Sequence, residues 1–504
     1  AEWLLDLSEP AARIDAAEAQ RYIAWARATE DPEARSRHRE FQERVKPALR
    51  PRLIALDRKF MQAEGRAGGG GVPLRLYARL VAAELEIFRD ENIALEAEES
   101  RLETRYGELA GAWTVLFRGA ERTLQELGLD LEESDRALRE EAWRLGAARR
   151  LEDRRELDAC FTELVALRDR MARASGRPDY RSFAFLRLKR FDYDLSDCVE
   201  FHGTVESVVL PAAARLARTR MRRLGLQALR PWDTAVDPEG RRPLRPFSGV
   251  DELLAGAGRV LEALAPALAG ELAFLVRHGL TDLESRKGKT PGAFCYPLED
   301  VRLPFLFANA AGSHRDVRTL FHEAGHAFHC LAAREIDLLA LRGSPIEFAE
   351  VASMGLELLA AERIGEWYAD PEAARALAEQ LRETLLLLPW IAAIDSFQHW
   401  VYAHPGATVE QRSAAWVGTH RRFTPFVEWG GLEREEAALW HRQPHLFQYP
   451  FYYFEYAVAQ LGALQLWTRF RKEGAAAVDR FRGALRLGGT AALPDLFAAA
   501  GLRL

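Results

Sequence analysis

TLFHEAGHAFHC, residues 319–330, sets His322 and His326 four positions apart, with Glu323 directly after the first histidine. Ser313 and Asp316 form an S-x-x-D start signal, which predicts a helix that begins just after Ser313 and runs to about Ala333. On such a helix Val317, Leu320, Phe321, Ala324, Phe328 and Leu331 make an apolar face, and His322, His326 and His329 fall on the opposite side. Imidazoles stacked one turn apart can both reach a single ion.

The chain around this motif carries the same helical signature. Stretches rich in Ala, Leu, Glu and Arg at 11–63, 73–110, 121–175 and 199–229 repeat apolar residues every three or four positions. Strand-like runs are few: AWTVLFR at 112–118, GAFCY at 292–296 and LPFLFAN at 303–309. The expected fold is mostly α with a small β-sheet. GRAGGGGVP at 65–73 reads as a flexible link after an N-terminal helical hairpin, and it lacks the lysine and Ser/Thr of a phosphate loop. The Pro- and Gly-dense run 229–249 reads as a long surface loop before the C-terminal half. No repeat of solenoid period is present.

The 504 residues suffice for a large two-lobed enzyme or for several average domains. Hydrophobic content of 48 % and charged content of 29 % describe an ordinary globular chain. A net charge of −6 is small for this length and argues against nucleic-acid or polybasic membrane partners. The N-terminal residues lack a basic segment followed by an apolar one, and LLLLPWIAAI at 385–394 is too short to span a bilayer, so a cytoplasmic location is expected. Cys160, Cys198, Cys295 and Cys330 form no C-x-x-C pair and read as buried thiols of a reducing compartment.

Zinc takes N, O or S ligands at about 2 Å in tetrahedral geometry, and catalytic sites keep one position for water, so the two histidines call for one more protein ligand. In GSPIEFAEVASMGLELLAAE, residues 343–362, Ser344 reads as an N-cap, Pro345 as the first helical residue and Glu347 as the partner in a capping box. Glu347 would then be engaged at its own helix end, and Glu350 lies one turn deeper. Glu357 is about 10 Å further along the axis, out of reach of an ion held by Glu350. Glu350 is therefore the expected third ligand. His329 is about 10 Å from His322 along a rigid helix, too far to share that ion, and is assigned to packing or support. Glu323, beside the first ligand, can take a proton from the attacking water.

PHLFQYPFYYFEYAVAQLGALQLW, residues 444–467, places His445 ahead of Tyr449, Tyr452, Tyr453 and Tyr456, with Pro450 placed to start a helix. On one helix Tyr452, Tyr453 and Tyr456 can gather their hydroxyls on a common face. Phenols or an imidazole near a metal could stabilise a developing oxyanion, although aromatic clusters are usually core.

The sequence resembles the thimet oligopeptidase and oligoendopeptidase F metallopeptidases, most closely their Pz-peptidase-like bacterial branch. FHEAGHAFH, PIEFAEVASMGLE and PHLFQYPFYYFEYAVAQ carry the likeness, with GRPDYRSFAF, RFDYDLSDCVEFH, LRPWDTAVDP and DSFQHWVY beside them, from about residue 90 onward. It implies a two-lobed helical ellipsoid with a small sheet beside an internal channel. Residues 1–195 would form an N-terminal helical region contributing part of the channel wall, and 196–504 the catalytic helical region. It also implies one Zn2+ per chain on His322, His326 and Glu350, with Glu323 as general base. His445, Tyr453 and Tyr456 match the family's histidine and tyrosines that contact substrate and oxyanion. An edge strand before the metal helix holds peptide backbone in the family, and Phe307, Ala308 and Gly312 fit that place, with Tyr452 beside the substrate.

The expected function is zinc-dependent endo-oligopeptidase action on short unstructured peptides of about 5 to 20 residues, with no nucleic-acid or membrane partner and a monomeric or homodimeric state. One alternative is a zinc carboxypeptidase or dipeptidase, for which Arg421, Arg422 or Arg442 could capture a chain end. The other is an inactive peptide-binding protein with structural zinc, which would require a fourth protein ligand.

Overall fold

The computed structural model describes residues 2–67, 71–290 and 292–504. Helices dominate, accompanied by a two-stranded and a three-stranded sheet. Two compact units are interleaved in sequence. One comprises Ala1–Leu85, Leu244–Leu381 and Glu455–Leu504, the other Glu86–Pro243 and Arg382–Phe454. No helix among the described residues is long and apolar enough to cross a membrane.

In the first unit, strands Thr281–Glu284, Phe294–Leu298 and Leu303–Ala310 form a mixed sheet with Leu303–Ala310 at its centre, parallel to the first and antiparallel to the second. This corrects the expectation of an edge strand at 303–309. Phe307 is fully buried and pairs with Asp282 on one side and Phe294 on the other, and the Ala308 carbonyl accepts a hydrogen bond from Lys289 Nζ. Neither residue offers a free backbone edge. The strand Thr281–Glu284 went unpredicted because four residues carry little periodicity. Its Asp282 is buried among Arg27, Arg286 and Lys289, which hold its carboxyl well below the usual range even though burial pushes the other way.

The helix His314–Ala333 begins where expected. Ser313 Oγ accepts from the Asp316 amide, and the Asp316 carboxylate accepts from the Ser313 amide. Its predicted apolar face is buried in full. The helix Ile346–Ala361 packs antiparallel against it: Arg318 meets Glu357 toward one end, and His326 meets Glu350 toward the other. Glycine makes that approach possible. A Cβ on Gly325 would lie 2.5 Å from the Ala352 carbonyl oxygen. On its other side Ile346–Ala361 packs against Glu455–Glu473, where a Cβ on Gly462 would lie 2.7 Å from Val351.

The second unit is built around a core that includes Phe161, Leu164, Phe183, Phe397, Trp416 and Trp440. Thr114–Phe117 is a strand as predicted, but its partner Ala120–Thr123 was not expected, residues 121–123 falling at the start of the stretch 121–175 read as helix. Arg118 and Gly119 both take positive φ, 51° and 81°, and turn the chain into a hairpin. The run 229–249 is not simply a surface loop, because Trp232 and Asp233 are buried. The Asp233 carboxylate accepts from Arg136 and Arg139. Of the Gly-rich run 65–73, residues 68–70 lie outside the described residues.

Candidate metal centre

His322 and His326 share one face of their helix, with ring centroids 5.0 Å apart. From the neighbouring helix, Glu350 Oε2 lies 3.5 Å from His322 Nε2 and 3.7 Å from His326 Nε2. Ligands held about 2.0–2.1 Å from a tetrahedral ion stand about 3.3 Å apart, so this donor set fits a zinc-class cation with little adjustment. Among the described residues, the His322, His326 and Glu350 donors all fall within 4.8 Å of one another, and neither His329 nor Cys330 joins them. His329 is buried toward Phe348, with ring centroids 6.3 Å apart.

Glu350 is the opposing carboxylate, but not for the capping reason expected. Pro345, not Ser344, occupies the N-cap, and no side chain caps this end; Ser344 Oγ donates to the Pro345 carbonyl. Glu347 is thus not held in a capping box. What selects Glu350 is its place opposite both histidines, where Ser353 Oγ donates to its Oε2 at 3.1 Å.

Glu357, set aside on helix rise as too distant to be a ligand, lies behind His322. Its Oε1 accepts from His322 Nδ1 at 2.7 Å, and its Oε2 accepts from Arg318 at 3.3 Å. A carboxylate on the far nitrogen fixes the tautomer and orientation of a ligating imidazole and raises its basicity. The available signal was the seven-residue spacing from Glu350, which returns Glu357 to the same helix face two turns on.

The electrostatics of the group favour a cation. Burial disfavours charge on His322, yet its bond to Glu357 and the charges of Glu357, Glu350 and Glu323 lift it to about 9. Burial pulls His326 down to about 4 against the opposing pull of Glu350. Burial pushes Glu323 up to about 7, reinforced by Glu350 and Glu357 and opposed by His322. Three carboxylates surround two imidazoles, an excess of negative charge that a divalent ion would neutralise.

His445, Tyr452 and Tyr453 gather in the second unit: the His445 ring centroid is 4.8 Å from that of Tyr453 and 6.1 Å from that of Tyr452. They do not share one helix. Pro450 starts none; the chain turns through Phe451 at φ 68°, forms a short 3-10 turn at Tyr452–Phe454, and becomes α-helical only at Glu455. Tyr456 therefore stands on the helix Glu455–Glu473, within the first unit, and not on a common face with Tyr452 and Tyr453.

Gln443 was missed by sequence reasoning. Its Oε1 accepts from Trp390 Nε1 at 3.2 Å, which orients the amide so that its Nε2 donates to His445 Nδ1 at 2.7 Å. His445 thereby keeps its proton on Nε2, as a donor. Burial pushes the Tyr453 phenol up to about 12, so it too remains a donor at neutral pH. Gly312 has a backbone reason to be glycine: its φ is 96°, and a Cβ would come 3.0 Å from the Phe247 carbonyl oxygen. Of the arginines considered for chain-end capture, Arg421 is engaged by Glu436 and Arg422 by Glu206, whereas Arg442 lies over the Trp390 ring.

A family model described as peptidase family M3 matches residues 130–504. Oligopeptidase PepF of Bacillus subtilis (strain 168) is 28 % identical over 255 residues, covering 48 % of this chain and 37 % of its own length. The chromosomal oligoendopeptidase F of Lactococcus lactis subsp. cremoris is 26 % identical over 228 residues, covering 44 % and 37 %. These matches thus span little more than a third of the curated relatives. Among solved structures, PZ peptidase A with an inhibitor superimposes with TM-score 0.88 at 28 % identity, over 96 % of this chain and 85 % of that one. Another, attributed to an oligoendopeptidase F, gives 0.93 at 27 % identity, over 100 % and 88 %.

Proposed function

The chain belongs to peptidase family M3, a family of metallopeptidases, and on that premise we propose that it is a zinc-dependent endo-oligopeptidase acting on short, unstructured peptides. The observation that carries this reading is the convergence of His322, His326 and Glu350 from two helices, with Glu357 orienting the first histidine. These are three protein donors, the number found at catalytic zinc sites, whereas structural sites close with four.

His322, His326 and Glu350 would hold the ion. A zinc ion bound there would lower the pKa of a water toward 7 and polarise the scissile carbonyl. Glu323, buried and adjacent to His322 in sequence, takes a proton from the attacking water and delivers it to the leaving amine. His445 Nε2–H, Tyr453 and Tyr456 are the donors assigned to the oxyanion, and Tyr452 is assigned to substrate contact. The two roles use opposite properties: Glu323 must give and take a proton, while Tyr453 must keep one.

Endo-action is the reading taken from the family likeness; of the arginines weighed for chain-end capture, Arg421 and Arg422 are paired with Glu436 and Glu206, and Arg442, over the Trp390 ring, is the one the terminal-cutting alternative would use. Four cysteines without disulfides fit the reducing conditions of a cytoplasm. The test is a peptide of about ten residues blocked at both termini, incubated with the wild type and with Glu323→Gln, products being read by mass spectrometry. Wild type should cut internally, and Glu323→Gln should retain its metal while losing about 10²–10⁴-fold in turnover. An uncut blocked peptide alongside trimming of an unblocked one would reject endo-action, and a fully active Glu323→Gln would reject the base.

A further inference from the structure

In the second unit the short 3-10 turn Leu439–Arg442 leads directly into Gln443 and His445. Its last residue, Arg442, holds its guanidinium over the Trp390 ring, 5.0 Å from the centroid. The Trp390 indole donates to Gln443, the Gln443 amide donates to His445, and the His445 ring centroid lies 4.8 Å from that of Tyr453. Arg442 therefore stands beside the histidine and tyrosine assigned to substrate. Burial raises the Tyr453 phenol, and the Arg442 charge opposes that rise.

No anion of the protein answers this charge. Arg442 is open to solvent, and its guanidinium makes no ion pair or hydrogen bond among the described residues. The same holds for Arg150, half-buried on the helix Arg136–Glu152. Asp153, one turn beyond Arg150, is taken by Arg149 and by the Trp113 indole. Glu436 is taken by His420 and Arg421. Burial pulls Arg150 down to about 10, and Arg442 adds to that pull, so the two guanidinium groups repel each other across a short gap. Like charges crowded together without a counter-charge are costly unless a ligand supplies one. A guanidinium over an aromatic face keeps its N–H donors in its own plane, where two of them match the oxygens of a carboxylate.

Resting on the peptidase reading of His445 and Tyr453, we propose that Arg442, backed by Arg150, binds a carboxylate of the substrate peptide. A peptide's own anions are carboxylates, carried by acidic side chains or by its C-terminus. The enzyme then selects peptides that place one of these beside His445 and Tyr453, and passes over neutral peptides of equal length.

The experiment measures binding, so that it does not require cleavage. Full-length Glu323→Gln protein is titrated by calorimetry with a neutral peptide of about ten residues blocked at both ends. The same titration is made with a set in which one Glu replaces Gln at each position in turn, and with the parent carrying a free C-terminal carboxylate. At least one acidic member should bind about tenfold or more tighter than the parent, and Arg442→Gln in the same background should shrink that advantage to within about twofold. A tighter Glu member identifies a side-chain carboxylate, and a tighter free-acid member identifies the chain end. If no member binds more than about twofold tighter than the parent, the inference is overturned, whether or not Arg442→Gln folds. An advantage that survives Arg442→Gln overturns it too. Incubating the same peptides with wild type separates the two readings. Cleavage without discrimination in binding rejects the carboxylate site alone, and discrimination without cleavage rejects the peptidase reading alone.

Discussion

His322 is positioned from two directions, by the helix that carries it and by Glu357 on the helix opposite. Replacing Glu357 with Gln should leave the three ligands in place yet weaken metal affinity by about 10–100-fold, measured by competition with a chelator; unchanged affinity would mean the contact is incidental. In the second unit Arg168 has a comparable part. It is buried against Glu99 at 2.6 Å and donates to the carbonyls of Leu446 and Phe447, the two residues after His445. Burial raises the Glu99 pKa, but Arg187 and Arg168 outweigh it and hold the carboxyl at about 2, below its ordinary 4.5. The sign follows: this stabilisation is fully present above pH 4.5 and is lost as pH falls through 2, amounting to about 3 kcal/mol. Glu99→Gln should therefore cost about 3 kcal/mol at neutral pH, because it takes the nearest carboxylate from the buried Arg168 guanidinium, and should flatten the acid limb of urea-unfolding stability below pH 4.5. An acid limb as steep as that of the wild type would contradict this assignment. His322, His326 and Glu323 were legible in the sequence because their relation is local to one helix. Glu357, Ser353 and Gln443 were not, since their partners are set by packing between elements or by the orientation of an amide.

At the scale of elements, the crossing of His314–Ala333 and Ile346–Ala361 decides whether Glu350 can reach the histidines. Gly325 lies at that crossing with its Cα side against the Ala352–Ser353 backbone. Gly325→Ala should force the helices apart at a cost of about 1–3 kcal/mol despite Ala's better helix propensity, seen as a lowered midpoint in thermal unfolding. Its retained metal should fall with it, and a variant as stable as the wild type would show that the crossing tolerates a Cβ. The capping signal at Ser313 was read correctly because a Ser side chain and an Asp three residues on satisfy the helix end by themselves. The analogous reading at Ser344 failed because Pro345 takes the N-cap position itself. Pro450 misled for a related reason: the left-handed Phe451 behind it sends the chain through a turn before the helix can begin. Strand Leu303–Ala310 was found but misplaced, since its pairing depends on the unrecognised strand Thr281–Glu284.

At the scale of the whole chain, helix-rich architecture was legible from apolar periodicity, and the family likeness from motifs spread over some hundreds of residues. The division into compact units was not. Each unit takes segments from distant parts of the chain, an arrangement fixed by long-range packing that leaves no local mark in composition. Tyr453 and Tyr456, three residues apart, fall into different units for that reason. The central claim is that one zinc ion is held by His322, His326 and Glu350 with a coordination position left to solvent. Anomalous diffraction on either side of the zinc absorption edge, from crystals of protein purified without chelator, tests it directly. The expected result is a peak bonded to those three side chains at about 2.0–2.2 Å with no fourth protein ligand. A peak closed by a fourth side chain, or one from which Glu350 is turned away, would contradict it.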